Sequence, residues 1–251
     1  LLRRPSENTD LIALCHIESE QVVLQLTPAG NLVILNGDGT TLTTSGCPVP
    51  VGDYQYIELK TVFSASAGTA QLRIGGEIQA SFSGNTVNGA TTVNCLRLFG
   101  HEALSDRGSY IIDDLYLCDG NGSTFNGFLG DIGVFRLTVN SAGESQAWSP
   151  STGSSNAAMI NETAPDSDGT YNTTTGSLGD IFYMSVPDAP AIDRILAVVQ
   201  HLNIRMTTPR VANMTTLLRS GLTEATPNSF YIAGDYEYRS AIYTLNPITV
   251  T

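Results

Sequence analysis

Apolar and polar residues alternate with a period of two along much of the first half of the chain, the pattern of half-buried β-strands. In the clearest run, 56–62, Ile57 and Leu59 are predicted to face a core, and Glu58 and Lys60 to face outward. The strands predicted in this half are 21–26, 32–35, 56–62, 70–74, 77–80, 93–99 and 110–117. Short strands at such close intervals predict a sandwich or a jelly roll.

A run of turn formers at 119–123 marks a predicted boundary between a first domain, 1–119, and a second, 120–251. The stretch 141–179 is rich in Ser, Thr, Asn and Gly and is predicted to be irregular, although Trp148 and Tyr171 suggest that it is anchored to a core. A helix is conceivable at 191–201, but β-branched residues and alternation favour a long strand. The strands predicted in this half are 130–139, 181–186, 192–206, 214–218 and 236–245.

Composition supports an all-β chain. Charged residues make up only 14% of the 251 residues, Lys60 is the single lysine, and Thr, Ser and Asn supply most of the polarity. The hydrophobic content of 41% is enough to build a core, which argues against disorder. A net charge of −12 excludes a nucleic-acid surface built on basic patches, and no apolar run has the length of a membrane span.

The two ends and the cysteines leave alternatives open. The chain begins without Met and ends within a strand-like run, so we expect it to be a fragment of a longer protein at both ends. The spacing of the four cysteines fits no close-paired zinc motif. Reduced, mostly buried thiols are favoured over two disulfides, whose pairing cannot be read from the sequence.

Motifs for catalysis are missing, so we expect a protein that is not an enzyme and uses no cofactor. The three histidines, His16, His101 and His201, are far apart, and the chain has no Gly-x-Ser-x-Gly elbow and no phosphate-binding loop. The loop 166–169 offers oxygens for calcium but lacks the remaining ligand positions, and it is interpreted as a structural turn. No metal site is predicted.

Sugar binding is the one ligand chemistry for which the chain offers candidates. It needs an exposed aromatic ring beside amide and carboxylate groups. By residue type the candidates are Trp148, Tyr171, Tyr231 and Tyr236. For each of them, the competing interpretation is a core residue or an ordinary surface aromatic. A pair of carboxylates for glycoside hydrolysis is the least favoured alternative, because no spacing singles one out.

Several segments together carry a family resemblance. They are, in chain order, YQYIELK at 54–60, QLRIGGE at 71–77, YIIDDLYL at 110–117, GFLGD at 127–131, QAWSP at 146–150, APD at 164–166 with Tyr171, LLRSG at 217–221 and YTLNP at 243–247. In content and order they resemble the laminin-G/concanavalin A-like (LamG-like) jelly roll of tailed-bacteriophage structural proteins and the region that follows it. The resemblance spans about 51–247 and carries over no catalytic residue.

The resemblance implies an all-β fold in which a concanavalin A/LamG-like jelly-roll sandwich is followed by a second β-sandwich domain. It further implies a non-enzymatic structural component of a virion, such as a fibre, spike, tail or capsid-decorating protein. The expected partners are other virion proteins and copies of itself, without nucleic acid or membrane insertion. The alternative function is a carbohydrate-binding, lectin-like module that recognises a host cell-surface glycan.

Overall fold

The computed structural model describes residues 5–98, 110–121, 125–175, 182–185, 195–207, 212–220, 223–225, 228–232 and 234–244. Within these ranges the chain is all-β, with several antiparallel sheets, no α-helix and one short 3-10 turn at Ala157–Met159. Two compact units divide the chain, Leu1–Val134 and Phe135–Thr251. This division lies C-terminal to the boundary predicted between 119 and 120.

The first unit contains a five-stranded sheet, in the order β4-β3-β2-β1-β8, and a three-stranded sheet, β5-β6-β7. Its strands are β1 Thr9–His16, β2 Ser19–Leu26, β3 Leu32–Asn36, β4 Thr41–Thr44, β5 Ile57–Val62, β6 Gly68–Ile74, β7 Glu77–Gly84 and β8 Cys95–Leu98. The predicted hairpin at Gly75 and Gly76 is confirmed, and both glycines have the positive φ of a two-residue hairpin turn. Alternation missed β1, which is nearly continuously apolar, and β4, which is mostly threonine.

One hydrophobic core is shared by the two sheets. The five-stranded sheet contributes Leu24 and Ile34, and the three-stranded sheet contributes Leu72; all three are fully buried or nearly so. Ile57 and Leu59 pack against this cluster, as predicted from the period of two. Two antiparallel sheets that enclose one core form a β-sandwich, so the sandwich expected for this half is confirmed.

A buried glutamine ties a loop to the start of β2. The Gln21 side chain is fully buried, and its Nε2 donates to the Asn88 carbonyl at 2.8 Å. Its Oε1 accepts hydrogen bonds from the backbone N–H groups of Asn88, at 2.9 Å, and of Ala90, at 3.2 Å. One amide side chain thereby satisfies three backbone groups, which is the condition for burying polar atoms without loss of stability.

The outward-facing prediction for Glu58 is wrong, because Tyr116 and Gly130 lie against its side chain on that face of β5. Glu58 is only 3% exposed. The Tyr116 hydroxyl donates to Glu58 Oε1 at 2.5 Å, and the Gly130 N–H donates to the same oxygen at 3.1 Å. Alternation correctly separated Glu58 from Ile57 and Leu59, but it cannot show that another segment lies over the opposite face.

Cationic and aromatic side chains extend this covered face. The Arg73 guanidinium lies 4.0 Å from the centre of the Phe128 ring, and the Lys60 Nζ lies 5.9 Å from it. Burial, followed by the hydrogen bond to Glu58, raises the pKa of Tyr116 well above its ordinary value. Tyr116 therefore stays protonated at physiological pH and remains a donor to the carboxylate.

Two strands predicted in this region are wrong. Residues 110–117 form only an isolated bridge at Tyr110, because Asp114 takes a φ of 50° and interrupts the extended run. The Asp114 carboxylate instead accepts a hydrogen bond from the Val134 N–H at 2.6 Å. Residues 130–139 also form no strand; they begin at Gly130, whose φ is 82°. Both segments have the apolar content of strands, but apart from the bridge at Tyr110 neither forms a ladder with the described residues.

The described part of the second unit consists of two-stranded sheets: β9–β12, β10–β11, β13–β18, β14–β17 and β15–β16. Its strands are β9 Ser141–Gln146, β10 Ser149–Pro150, β11 Asn172–Thr173, β12 Phe182–Ser185, β13 Val198–Ile204, β14 Ala212–Thr216, β15 Arg219–Ser220, β16 Thr223–Glu224, β17 Asn228–Ile232 and β18 Glu237–Tyr243. Strand is confirmed over helix at 198–204, whereas 191–194 lie outside the described residues. The irregular prediction for 141–179 is wrong at β9, whose polar sequence gave no strand signal.

The inner faces of two of these ribbons meet around Tyr243. Its hydroxyl lies 2.9 Å from Thr216 Oγ1 on β14 and 3.3 Å from Gln200 Oε1 on β13. Ala241 and Ile232 are buried with it. This small cluster fixes which face of the β13–β18 ribbon points inward, and therefore which face is left outward.

Candidate functional site

A cluster of aromatic and charged side chains lies where the end of the β13–β18 ribbon meets the loop 166–170. In the antiparallel register Ile204 is opposite Glu237, so Arg205 and Tyr236 are neighbours just beyond that pair. The Arg205 guanidinium lies 4.6 Å from the centre of the Tyr236 ring. Strand register thus brings together two side chains that are 31 positions apart.

Asp168 joins this pair from the loop. Its carboxylate accepts a hydrogen bond from Arg205 Nη1 at 3.0 Å and one from the Tyr236 hydroxyl at 2.9 Å, and Arg205 Nη2 forms an ion pair with it at 2.5 Å. Desolvation and then the bond to Asp168 raise the pKa of Tyr236, so its hydroxyl stays protonated near neutral pH. The Arg205 charge is compensated by Asp168, and the cluster is close to neutral as a whole.

The loop that carries Asp168 is held by its own hydrogen bonds. The Asp166 carboxylate accepts from the Thr170 N–H at 2.8 Å, and Ser167 takes a φ of 60°. Asp166 and Asp168 are therefore bound to different partners and do not converge on one point. In the parts of the chain that the structure describes, no three His, Cys, Asp or Glu side chains are grouped to hold a metal ion.

Two of the four sugar-binding candidates lie at or beside this cluster. Tyr171 directly follows the loop, is 38% exposed, and is among the groups that raise the pKa of Tyr236. Its backbone is fixed by Ser151, whose N–H donates to the Tyr171 carbonyl at 2.8 Å. The cluster of Tyr171, Tyr236, Asp168 and Arg205, called here the Tyr236 cluster, combines partly exposed aromatic rings with donors and acceptors.

The other two candidates are not shown to contact this cluster. Trp148 is half-buried, and its carbonyl accepts a hydrogen bond from Asn156 Nδ2 at 2.8 Å. Tyr231 lies on β17 and is 75% exposed. Sequence reasoning missed Arg205 as a member of the site and assigned Asp168 only to a turn. The signal for Arg205 was its position near the end of the strand predicted at 192–206, while Tyr236 begins the strand predicted at 236–245.

The outward face of the β13–β18 ribbon is a second feature of this unit. Its cross-strand pairs are Val199 with Ile242, His201 with Ser240, and Asn203 with Tyr238. Tyr238 is 74% exposed and Ile242 61%, and Val199 is also exposed. We call these six residues the ribbon face. Large apolar side chains on a neutral, polar background are typical of contact surfaces between proteins.

The histidines that the structure describes have hydroxyl partners. His201 Nδ1 is 2.9 Å from Ser240 Oγ, and His16 Nδ1 is 3.2 Å from Thr92 Oγ1. Among the described residues, no carboxylate is hydrogen-bonded to the other ring nitrogen of His201, the position that an orienting acid takes in a catalytic triad. His101 lies outside the described residues.

No protein-family model matches the chain, and no curated protein or solved structure is significantly similar to it. Over the ranges that the structure describes, the chain forms no helix with the length and hydropathy needed to cross a membrane.

Proposed function

We propose that this protein is a non-enzymatic structural component of a bacteriophage virion: a fibre, spike, tail or capsid-decorating subunit. It contacts other virion proteins and further copies of itself, and it binds neither nucleic acid nor membrane. In this proposal the sandwich of the first unit is a LamG-like jelly roll, and the second unit is a second β-sandwich. Support comes from the segments that resemble tailed-phage proteins, from the charge-poor all-β chain, and above all from the ribbon face.

The ribbon face carries the proposal because a two-stranded sheet is marginally stable alone in water. The β13–β18 ribbon buries one face around Tyr243 and leaves Tyr238, Ile242 and Val199 outward. Covering these side chains with a neighbouring subunit removes apolar area from water, at about 25 cal/mol per Å². The exposed hydroxyl of Tyr238 on the same face can add a hydrogen bond to such a contact.

Ile242→Asp tests the proposal in assembled particles. We expect the wild-type chain to be present in purified particles of the phage that encodes it, and the variant to be incorporated at least about tenfold less. The reason is that a carboxylate buried in an apolar contact costs far more than the 1.4 kcal/mol that a tenfold change represents. Quantitative mass spectrometry of purified particles measures the incorporation.

Ile78→Asp is the matched control, because Ile78 is 54% exposed on β7 of the first unit and outside the ribbon face. Its incorporation should equal that of the wild type. Absence of the wild-type chain from purified particles would refute the virion function. Equal incorporation of both variants would refute the ribbon face as the contact surface.

A carbohydrate-binding, lectin-like module is the second candidate function, and the Tyr236 cluster favours it. The faces of Tyr171 and Tyr236 suit the C–H face of a sugar ring, since aromatic side chains combine an apolar face with a polar tip. Asp168, whose side chain is 61% exposed, has acceptor capacity beyond the bonds it already makes, and Arg205 supplies donors. Because the charges are balanced, the cluster fits a neutral sugar of a host cell surface.

Tyr236→Ala should weaken binding to neutral bacterial surface glycans by about tenfold or more, since the variant loses both the ring face and a hydroxyl bound to Asp168. Tyr236→Phe keeps the ring and should lose less glycan affinity than Tyr236→Ala. Affinity is measured by titration against the best ligands of a bacterial glycan array. Tyr54→Ala is the control, because Tyr54 is 61% exposed in the first unit. Wild-type protein that binds no glycan on the array would eliminate this function.

A further inference from the structure

Two of the four cysteines lie opposite each other on adjacent strands. In the antiparallel pair β1–β8, Cys15 is the partner of Cys95, and the neighbouring pair Leu14–Leu96 continues the register without a shift. Directly opposed residues of antiparallel strands point to the same side of the sheet. The two thiols therefore share one face, although they are 80 positions apart in the sequence.

This placement meets the geometric requirement of a disulfide. Opposed residues of antiparallel strands have Cα atoms about 4.5 to 5.5 Å apart, and a disulfide needs about 4.4 to 6.8 Å. The other cysteines have no such arrangement in the described structure: Cys47 donates from its thiol to Gln79 Oε1 at 3.1 Å, and Cys118 lies outside the strands. Both are exposed and free.

The surroundings of the pair distinguish the two thiols. Cys15 is fully buried, whereas Cys95 is exposed on the edge strand of the sheet. An ion pair between Arg97 on β8 and Glu20 on β2, 2.8 Å long, joins the strands on either side of β1. Burial raises the pKa of Cys15, against the opposing effect of Arg97. An oxidant in solution therefore reaches Cys95 first.

We propose that Cys15 and Cys95 are an oxidisable pair that closes into an intramolecular disulfide and fastens the edge strand β8 to β1. With glutathione disulfide as oxidant, the Cys95 thiolate attacks one sulfur and releases one glutathione thiolate. Cys15 then gives up its proton, attacks the Cys95 sulfur of the mixed disulfide, and releases the second glutathione. Two protein thiols are oxidised and one glutathione disulfide is reduced to two glutathione thiols.

Closing this bond stabilises the folded state because it lowers the conformational entropy of the unfolded chain. The link closes a loop of about 80 residues, and long loops lose the most entropy when closed. It also fixes a strand that, within the described part of the sheet, has a ladder partner on one side only. The inference is independent of the proposed function, since it rests on the register of the first unit alone.

The test incubates the purified full chain with glutathione disulfide at pH 8 and counts thiols after denaturation. We expect non-reducing peptide mapping to find the Cys15–Cys95 link with no glutathione on either residue, whereas the exposed Cys47 and Cys118 stay reduced or carry glutathione. The melting temperature should rise by several degrees and return when dithiothreitol is added. The double variant Cys47→Ser/Cys118→Ser should behave in the same way and fall from two thiols to none.

Cys95→Ser should abolish both the link and the shift in melting temperature. Cys15→Ala, which avoids a buried hydroxyl, should do the same and leave Cys95 as a stable mixed disulfide with glutathione. Three results would overturn the proposal: four thiols that persist under oxidation, glutathione that stays on Cys95 of the wild type without ring closure, or a link that includes Cys47 or Cys118.

Discussion

Gln21→Leu should lower the free energy of unfolding by about 3 to 5 kcal/mol, because it removes a fully buried amide that is the partner of three partly buried backbone groups at once. The N–H groups of Asn88 and Ala90 and the Asn88 carbonyl all bind the Gln21 amide, at distances between 2.8 and 3.2 Å. Leucine fills nearly the same volume, so the loss of stability comes from missing hydrogen bonds and not from a cavity. Urea denaturation followed by circular dichroism measures it.

Gln25→Leu is the matched control on the same strand. The Gln25 side chain is partly buried and makes one hydrogen bond, from Nε2 to Asp10 Oδ1 at 2.7 Å. The Gln25→Leu substitution should lower the free energy of unfolding by about 1 kcal/mol, the value of a single partly exposed hydrogen bond. Equal losses for the two variants would mean that the Gln21 amide does not anchor the loop at 88–90.

Gly37→Ala should destabilise the first unit by about 3 kcal/mol or more, since overpacking against the backbone leaves no side chain to move aside. A Cβ at this position would lie 1.7 Å from the Glu20 carbonyl oxygen and 2.5 Å from its carbon. The Gly37 N–H donates to the Gln21 carbonyl at 2.9 Å, so relief of the clash also breaks this bond. Thermal unfolding followed by circular dichroism measures the shift.

Gly46→Ala provides the comparison, because a Cβ there meets its nearest atom, the Gln79 carbonyl oxygen, at 3.7 Å, an ordinary contact. This substitution should change stability by less than about 1 kcal/mol, and it reduces the freedom of the unfolded chain. Equal melting temperatures for the Gly37→Ala and Gly46→Ala proteins would contradict the close approach of the turn at Gly37 to β2.

Local patterns allowed the hairpins to be predicted, because alternation and turn chemistry act between residues close in sequence. The strands β5, β6 and β7 follow one another through short turns, and each carries its own period of two. Residues 110–117 have the apolar and aromatic content of a strand, yet they form none. Whether an extended run finds a ladder partner depends on distant chain, and the positive φ of Asp114 is not encoded by alternation.

The candidate site was predictable only as a set of residue types. Tyr171 and Tyr236 were identified as aromatics that suit a sugar, but their proximity depends on the loop at 166–170 reaching the end of the β13–β18 ribbon. Asp168 is 37 positions from Arg205 and 68 from Tyr236. Such distances are bridged by tertiary folding, which no period or spacing records. The opposition of Cys15 and Cys95 has the same origin.

The burial of Glu58 has a consequence for how the first unit can be decorated or joined. Tyr116, Phe128 and Gly130 occupy the side of β5 and β6 that carries Glu58 and Arg73. Around Glu58 that side is covered by this segment, whereas Val62, farther along β5, is 48% exposed. Insertions, affinity tags or fused domains placed between 116 and 130 would pull this cover away, whereas the exposed turn at Gly39 leaves it intact. Engineering of this protein for display should therefore begin at the β3–β4 turn.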